Sequence, residues 1–129
     1  MGRQHLSKEL KKFIKEQIHS VVMLEVLLLL HRNQPRSFNA SEVATELGIE
    51  EEVAEEQLSA LVAIELISQS ESNQNYWYHP SDLAALGLVN DLAVAYSKQR
   101  IPVLSLILGE GPDRIRLFAE AFRLIKGND

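Results

Sequence analysis

The chain has 129 residues, 46% of them hydrophobic, a net charge of −5 and no cysteine. That length closes one core with an added helical element rather than two domains, and the missing cysteine removes disulfides, thiolate metal sites and thiol nucleophiles. The longest apolar stretch, Val21 to Leu30, is interrupted by Glu25 and is far short of the roughly 20 residues a membrane span needs. It follows a charged, amphipathic start, MGRQHLSKELKKFIK, and no small-residue cleavage site comes after it. The expectation is a cytoplasmic protein with no membrane segment.

The first helix is expected from Ser7 to His31, a stretch without Gly or Pro. Leu10, Phe13, Ile14, Ile18, Val21, Val22 and Leu24 recur there at helical spacing. Ser7 is the candidate N-cap, Lys8, Lys11, Lys12 and Lys15 populate the solvated side, and Asn33-Gln34-Pro35 ends the helix. After Val21 the helix is apolar nearly all round, as in a helix central to a bundle or an interface.

Arg36 to Asn39 reads as a short extended segment. Asn39 or Ala40-Ser41 opens a second helix, ending at Leu47 before Gly48, a residue that tolerates positive φ. A third starts among Glu50, Glu51 and Glu52, whose carboxylates suit the positive end of a helix dipole. Its expected buried face is Val53, Leu58, Leu61, Val62 and Leu66. Ile67 to Ser70 and Asn75 to Tyr78 read as two short strands around the polar loop Glu71 to Gln74.

Pro80-Ser81-Asp82 starts a long fourth helix, with Ser81 as its expected cap. Its apolar positions are Leu83, Leu86, Val89, Leu92, Ala93 and Tyr96, then Val103, Leu104 and Ile107. Pro102 sits inside it, so a kink or break near Arg100–Ile101 is expected. Gly109-Glu110-Gly111-Pro112 stops it, and a fifth helix runs from Pro112 to about Lys126.

Helix, short strand, helix, tight turn, helix, hairpin, then more helix is the plan of a winged helix. The segment SFNASEVATELGIEEEVAEEQLSALVAIELI resembles the second and third helices of bacterial winged helix-turn-helix transcriptional regulators. Ala44 stands where that family needs a small residue, Gly48 in its turn, and Val53, Ala54, Leu58 and Leu61 at its inward positions. ELISQSESNQNYWYHP resembles the family's wing, except that Glu65-Leu66-Ile67 replaces the usual glycine-containing turn. The resemblance covers about half the chain and speaks for fold more than for function. It implies a mainly α chain with a small β-hairpin (α+β), a winged helix-turn-helix with additional N- and C-terminal helices. The winged-helix core would span about 21–79 within a single domain, flanked by the N-terminal helix 7–31 and by C-terminal helices 82–108 and 112–126 for dimerisation.

Charge cuts against the family's usual task. From Ser37 through Ser97 there are eleven acidic residues and no Lys or Arg, a charge of −11, while the rest of the chain carries +6. Affinity for DNA depends on Lys and Arg neutralising phosphates. By the resemblance, the helix face that would enter the major groove holds Glu51, Glu52, Glu55, Glu56 and Ser59. One glutamate can accept a bond from cytosine, but four without a local base are repelled. An acidic helix face often serves solubility alone. A surface built for that mixes both signs, so the unmixed charge favours a face that meets a basic protein partner.

The bases lie at the ends. Lys8, Lys11, Lys12 and Lys15, with Arg114 and Arg116, are the alternative contacts for nucleic acid. With Lys98, Arg100, Arg123 and Lys126 they could instead be ordinary solvated charges or meet the acidic middle of another copy. Tyr76-Trp77-Tyr78-His79 could form an aromatic effector site, although strand alternation assigns Tyr76 and Tyr78 to one face and the core. His5, His19, His31 and His79 are scattered without metal-ligand spacing, so no catalytic, cofactor or metal site is expected. The sequence thus points to a non-enzymatic, regulator-like homodimer acting through an acidic helix face, the alternative being a DNA-binding transcriptional regulator. The dimer is expected because Val21–Leu30, Val103–Leu108 and Ile115–Ile125 exceed the apolar surface that a small winged helix buries.

Overall fold

The computed structural model of the chain describes residues 6–71 and 74–109. Among these the chain is mainly helical with one antiparallel hairpin: α1 (Lys8–Gln17), α2 (Val21–Arg32), α3 (Ala40–Leu47), α4 (Glu51–Ala63), β1 (Ile67–Gln69), β2 (Tyr76–Tyr78), α5 (Leu83–Lys98) and α6 (Arg100–Leu108). The expected fifth helix from Pro112, with Arg114, Arg116, Arg123 and Lys126, lies outside the described residues, as do His5 and part of the hairpin loop.

The single helix expected from Ser7 to His31 is two. The Ser7 hydroxyl caps α1 as expected, accepting from the Leu10 amide at 3.0 Å. Ile18 then leaves the helix with extended backbone, φ −103 and ψ 100, and turns its side chain into the core. Ser20 restarts the chain as the cap of α2, its hydroxyl accepting from the Met23 amide at 3.0 Å. A serine before an apolar run is an N-cap signal, and it breaks the helix without Gly or Pro.

Helix α2 is the centre of the fold. Every residue from Met23 to Leu30 is buried, Glu25 included. The reason is that α2 touches α3, α4, β2 and α6. The apolar run is therefore consumed within one chain and no longer argues for a dimer. Helix α1 lies on the other side, against α5 and α6, through Leu10 and Ile14.

Asn39 and Glu42 form a reciprocal capping box at the start of α3, with bonds of 2.8 and 2.9 Å. Gly48 closes α3 at φ 69, a left-handed conformation that glycine adopts without steric cost. Helix α4 buries Ala54, Leu58 and Leu61. Val53 and Val62, expected inside, are only half buried, because Ala54 rather than Val53 heads the inward row. Leu66 is buried just beyond the helix. At Glu65 the chain turns with φ 65, where the resembling family has its glycine.

In the hairpin Ile67 pairs with Tyr78, Ser68 with Trp77 and Gln69 with Tyr76. Phe38 bridges Tyr76 on the other edge, the two residues exchanging backbone bonds of 2.8 Å. The extended segment before α3 is thus tied to the hairpin, and Phe38 is fully buried.

Asp82, not Ser81, caps α5, its carboxylate accepting from the Ala85 amide at 2.8 Å. The Ser81 amide instead donates to the Glu65 carbonyl at 3.0 Å, which pins the start of α5 to the turn after α4. The expected break falls at Gln99, between α5 and α6. Pro102 becomes the third residue of α6, where a missing backbone donor costs nothing. Leu83, one of the apolar positions of the expected fourth helix, is 82% exposed.

Candidate interaction surface

Helix α4 runs from Glu51 to Ala63 with Ala54, Leu58 and Leu61 inward. Helical geometry then carries positions 52, 55, 56 and 59 to the outer side, while position 51 stands in the exposed first turn above the inward row. Glu51, Glu52, Glu55, Glu56 and Ser59 are all exposed. The sequence-predicted face is therefore brought together on one helix. Glu51 and Glu52 occupy its first turn, where the macrodipole favours negative charge. Glu42 and Glu46 on the neighbouring α3 are exposed too, as are Glu50, Glu65, Glu71, Asp82 and Asp91.

The acidic face reaches the hairpin. The Gln69 amide donates to the Tyr76 hydroxyl at 3.1 Å. Burial first, and then the Glu55 carboxylate, push the Tyr76 phenol above its ordinary value, with the Gln69 bond pulling the other way. Glu55 therefore lies within electrostatic reach of the strand that closes the core. Arg36 marks the near edge of this region, its guanidinium 4.2 Å from the centre of the Phe38 ring. Such stacking is a cation–π contact.

The basic residues are elsewhere. Lys8, Lys11, Lys12 and Lys15 are exposed along α1, which packs on α5 and α6. They do not frame the outer side of α4. The other two alternative contacts, Arg114 and Arg116, fall outside the described residues.

Strand alternation holds for the aromatic run, with Tyr76 and Tyr78 buried and Trp77 half buried. The Tyr78 ring meets His31 edge-on at 5.1 Å. His31 in turn shares a 2.9 Å bond between Nε2 and the Asn90 side-chain oxygen. An open cleft of about 440 Å³ lies between α1, the turn after α4 and the start of α5, lined by Phe13, Gln17, Ile64, Glu65, Ser81 and Leu88 among others. None of Tyr76, Trp77, Tyr78 and His79 lines it, so the cleft is not the aromatic effector site considered from the sequence. His19 is exposed between α1 and α2, with Nε2 3.0 Å from the Glu16 carbonyl. Among the described residues, no group of three or more His, Cys, Asp or Glu is placed to hold a metal ion, and no helix is long and apolar enough to cross a membrane.

One polar pair was not visible in the sequence. The Tyr96 hydroxyl donates to Glu25 Oε2 at 2.9 Å, deep between α2 and α5. Burial, then the nearby Glu25 carboxylate, hold the Tyr96 phenol well above its ordinary range, opposed by Arg100, whose guanidinium lies 4.7 Å from the Tyr96 ring centre. Glu25 reads in the sequence as an interruption of an apolar run. Its partner, 71 positions on, carries no local signal.

Compared with known protein families, curated proteins and solved structures, the chain gives no significant match to any of them.

Proposed function

We propose that the chain is a non-enzymatic winged-helix protein of the regulator-like kind, working in the cytoplasm as a homodimer, whose acidic α4 face binds a basic protein partner. The order α2, Phe38 bridge, α3, α4 and hairpin supports the winged-helix reading, as does the positive φ of Glu65. The observation that carries the function is the exposed row Glu51, Glu52, Glu55, Glu56 and Ser59, in a stretch from Ser37 to Ser97 without one Lys or Arg. On such a scaffold this helix would meet the major groove, and here it would repel phosphate. The same row attracts a cationic surface and steers its approach.

The test compares polylysine binding at low salt for the wild-type chain and two neutralised variants. Replacing Glu51, Glu52, Glu55 and Glu56 together by Gln lowers affinity by about tenfold or more, on the order of 1.4 kcal/mol. Replacing Glu9, Glu16, Glu71 and Asp129 by the neutral amides changes it much less. Equal losses would mean that net charge alone attracts the polycation, and the assignment to α4 would fall.

A second reading is favoured by the exposed lysines of α1: a DNA-binding transcriptional regulator whose dimer holds phosphates with Lys8, Lys11, Lys12 and Lys15. It requires docking through a surface other than α4.

A further inference from the structure

Three large hydrophobic side chains stand out as exposed among the described residues: Leu83 at 82%, Val94 at 53% and Ile101 at 49%. Two lie on α5, whose inner side is fixed by Val89, Leu92, Ala95 and Tyr96. On the outer side run Leu83, Gly87, Asn90, Val94 and Ser97, at alternating spacings of four and three; all five are exposed, and Asn90 also shares its side-chain oxygen with His31 of α2. Spacing of that kind is the seam along which one helix packs on another. A side chain at Gly87 would meet nothing within 4 Å, so the glycine is not required by packing inside this chain. It leaves the helix surface open at one point of the seam, as close helix approach requires.

The charges beside the seam name the occupant and its direction. Asp91 and Lys98 are both exposed and stand seven positions apart on the same flank, two turns along the helix. A parallel copy would send this flank to opposite sides of the contact in the two chains, leaving Asp91 and Lys98 without each other. An antiparallel copy related by a two-fold axis near Val94 sets each Asp91 against the other's Lys98. The same axis puts Val94 against its own counterpart. We propose that α5 is the homodimer interface, pairing antiparallel with α5 of a second copy about a two-fold axis near Val94. Such a contact is isologous and closes at two. It leaves the α4 face free, so it stands or falls separately from the acidic-face reading.

The absence of native cysteine permits a direct test on the full chain. A disulfide needs Cα atoms within about 7 Å. Val94→Cys is expected to cross-link to its counterpart on mild oxidation. Leu83→Cys is not, because antiparallel pairing holds the two copies of that position about 33 Å apart by helical rise. Sedimentation of the unmodified chain at micromolar concentration gives a dimer. Val94→Glu raises its dissociation constant about a hundredfold with an unchanged circular dichroism spectrum. Asp91→Lys weakens it about tenfold, and adding Lys98→Asp restores it. A monomeric full chain would overturn the proposal, as would a dimer that survives Val94→Glu. Cross-linking through position 83 instead of 94 would overturn the antiparallel arrangement.

Discussion

Tyr96 and Tyr78 are two buried tyrosines with opposite circumstances. The Tyr96 hydroxyl is bound to the buried Glu25 carboxylate at 2.9 Å. Tyr96→Phe removes that donor and leaves a buried carboxylate short of a partner, so it lowers stability by about 1.5–3 kcal/mol. Tyr78 has a buried hydroxyl for which the described residues offer no hydrogen-bonding group. Tyr78→Phe leaves stability unchanged or raises it by about 1 kcal/mol, since it deletes a desolvated polar atom. Urea unfolding of the two variants checks the contrast. Burial pushes the Tyr78 phenol from its ordinary 10.0 up to about 12, and Tyr76 and Tyr96 shift in the same direction. The fold thus favours the neutral phenols. Their contribution to stability is fully present below pH 10 and is lost as pH rises from there through about 12. Unfolding should coincide with the rise of tyrosinate absorbance in that window. A titration in which all three phenolates form with the fold intact would contradict it. Glu65 adds a third residue-scale expectation. Its φ of 65 costs a side-chain-bearing residue about 1 kcal/mol, so Glu65→Gly should raise the urea midpoint.

At the scale of elements, caps decided what apolar spacing could not. The inward rows of α1 and α4 were legible in the sequence because Leu10 and Ile14, and Leu58 and Leu61, recur at helical spacing. Gly48 marked the turn for the same local reason. The break at Ile18 was missed, since both flanks carry a helical pattern and the signal was a single serine. Ser20→Ala should cost about 1 kcal/mol, measured by urea unfolding, because the Met23 amide loses its 3.0 Å acceptor. A change below a few tenths would mean that packing of Ile18 and Val21 alone sets the break. Leu83 shows the opposite failure. It falls three residues before Leu86, yet helical rotation carries it to the outer side of α5, away from Val89 and Leu92, where it is exposed.

At the scale of the molecule, segregation of charge was legible from composition and position alone, and α4 exposes four glutamates, three of them on one side and Glu51 in its first turn. What the sequence could not give was the use of the apolar surface. The run in α2 suggested an interface, but α3, α4, β2 and α6 enclose it, because those elements are distant in sequence and their docking has no local code. Among the described residues, the large apolar side chains left exposed are instead Leu83, Val94 and Ile101. The proposed function has a winged-helix scaffold presenting a face unsuited to DNA. It is tested most directly by titrating the full chain with random-sequence duplex DNA at low salt. The account predicts no measurable binding. Appreciable affinity that falls steeply as salt is added would contradict it and transfer the function to the lysines of α1.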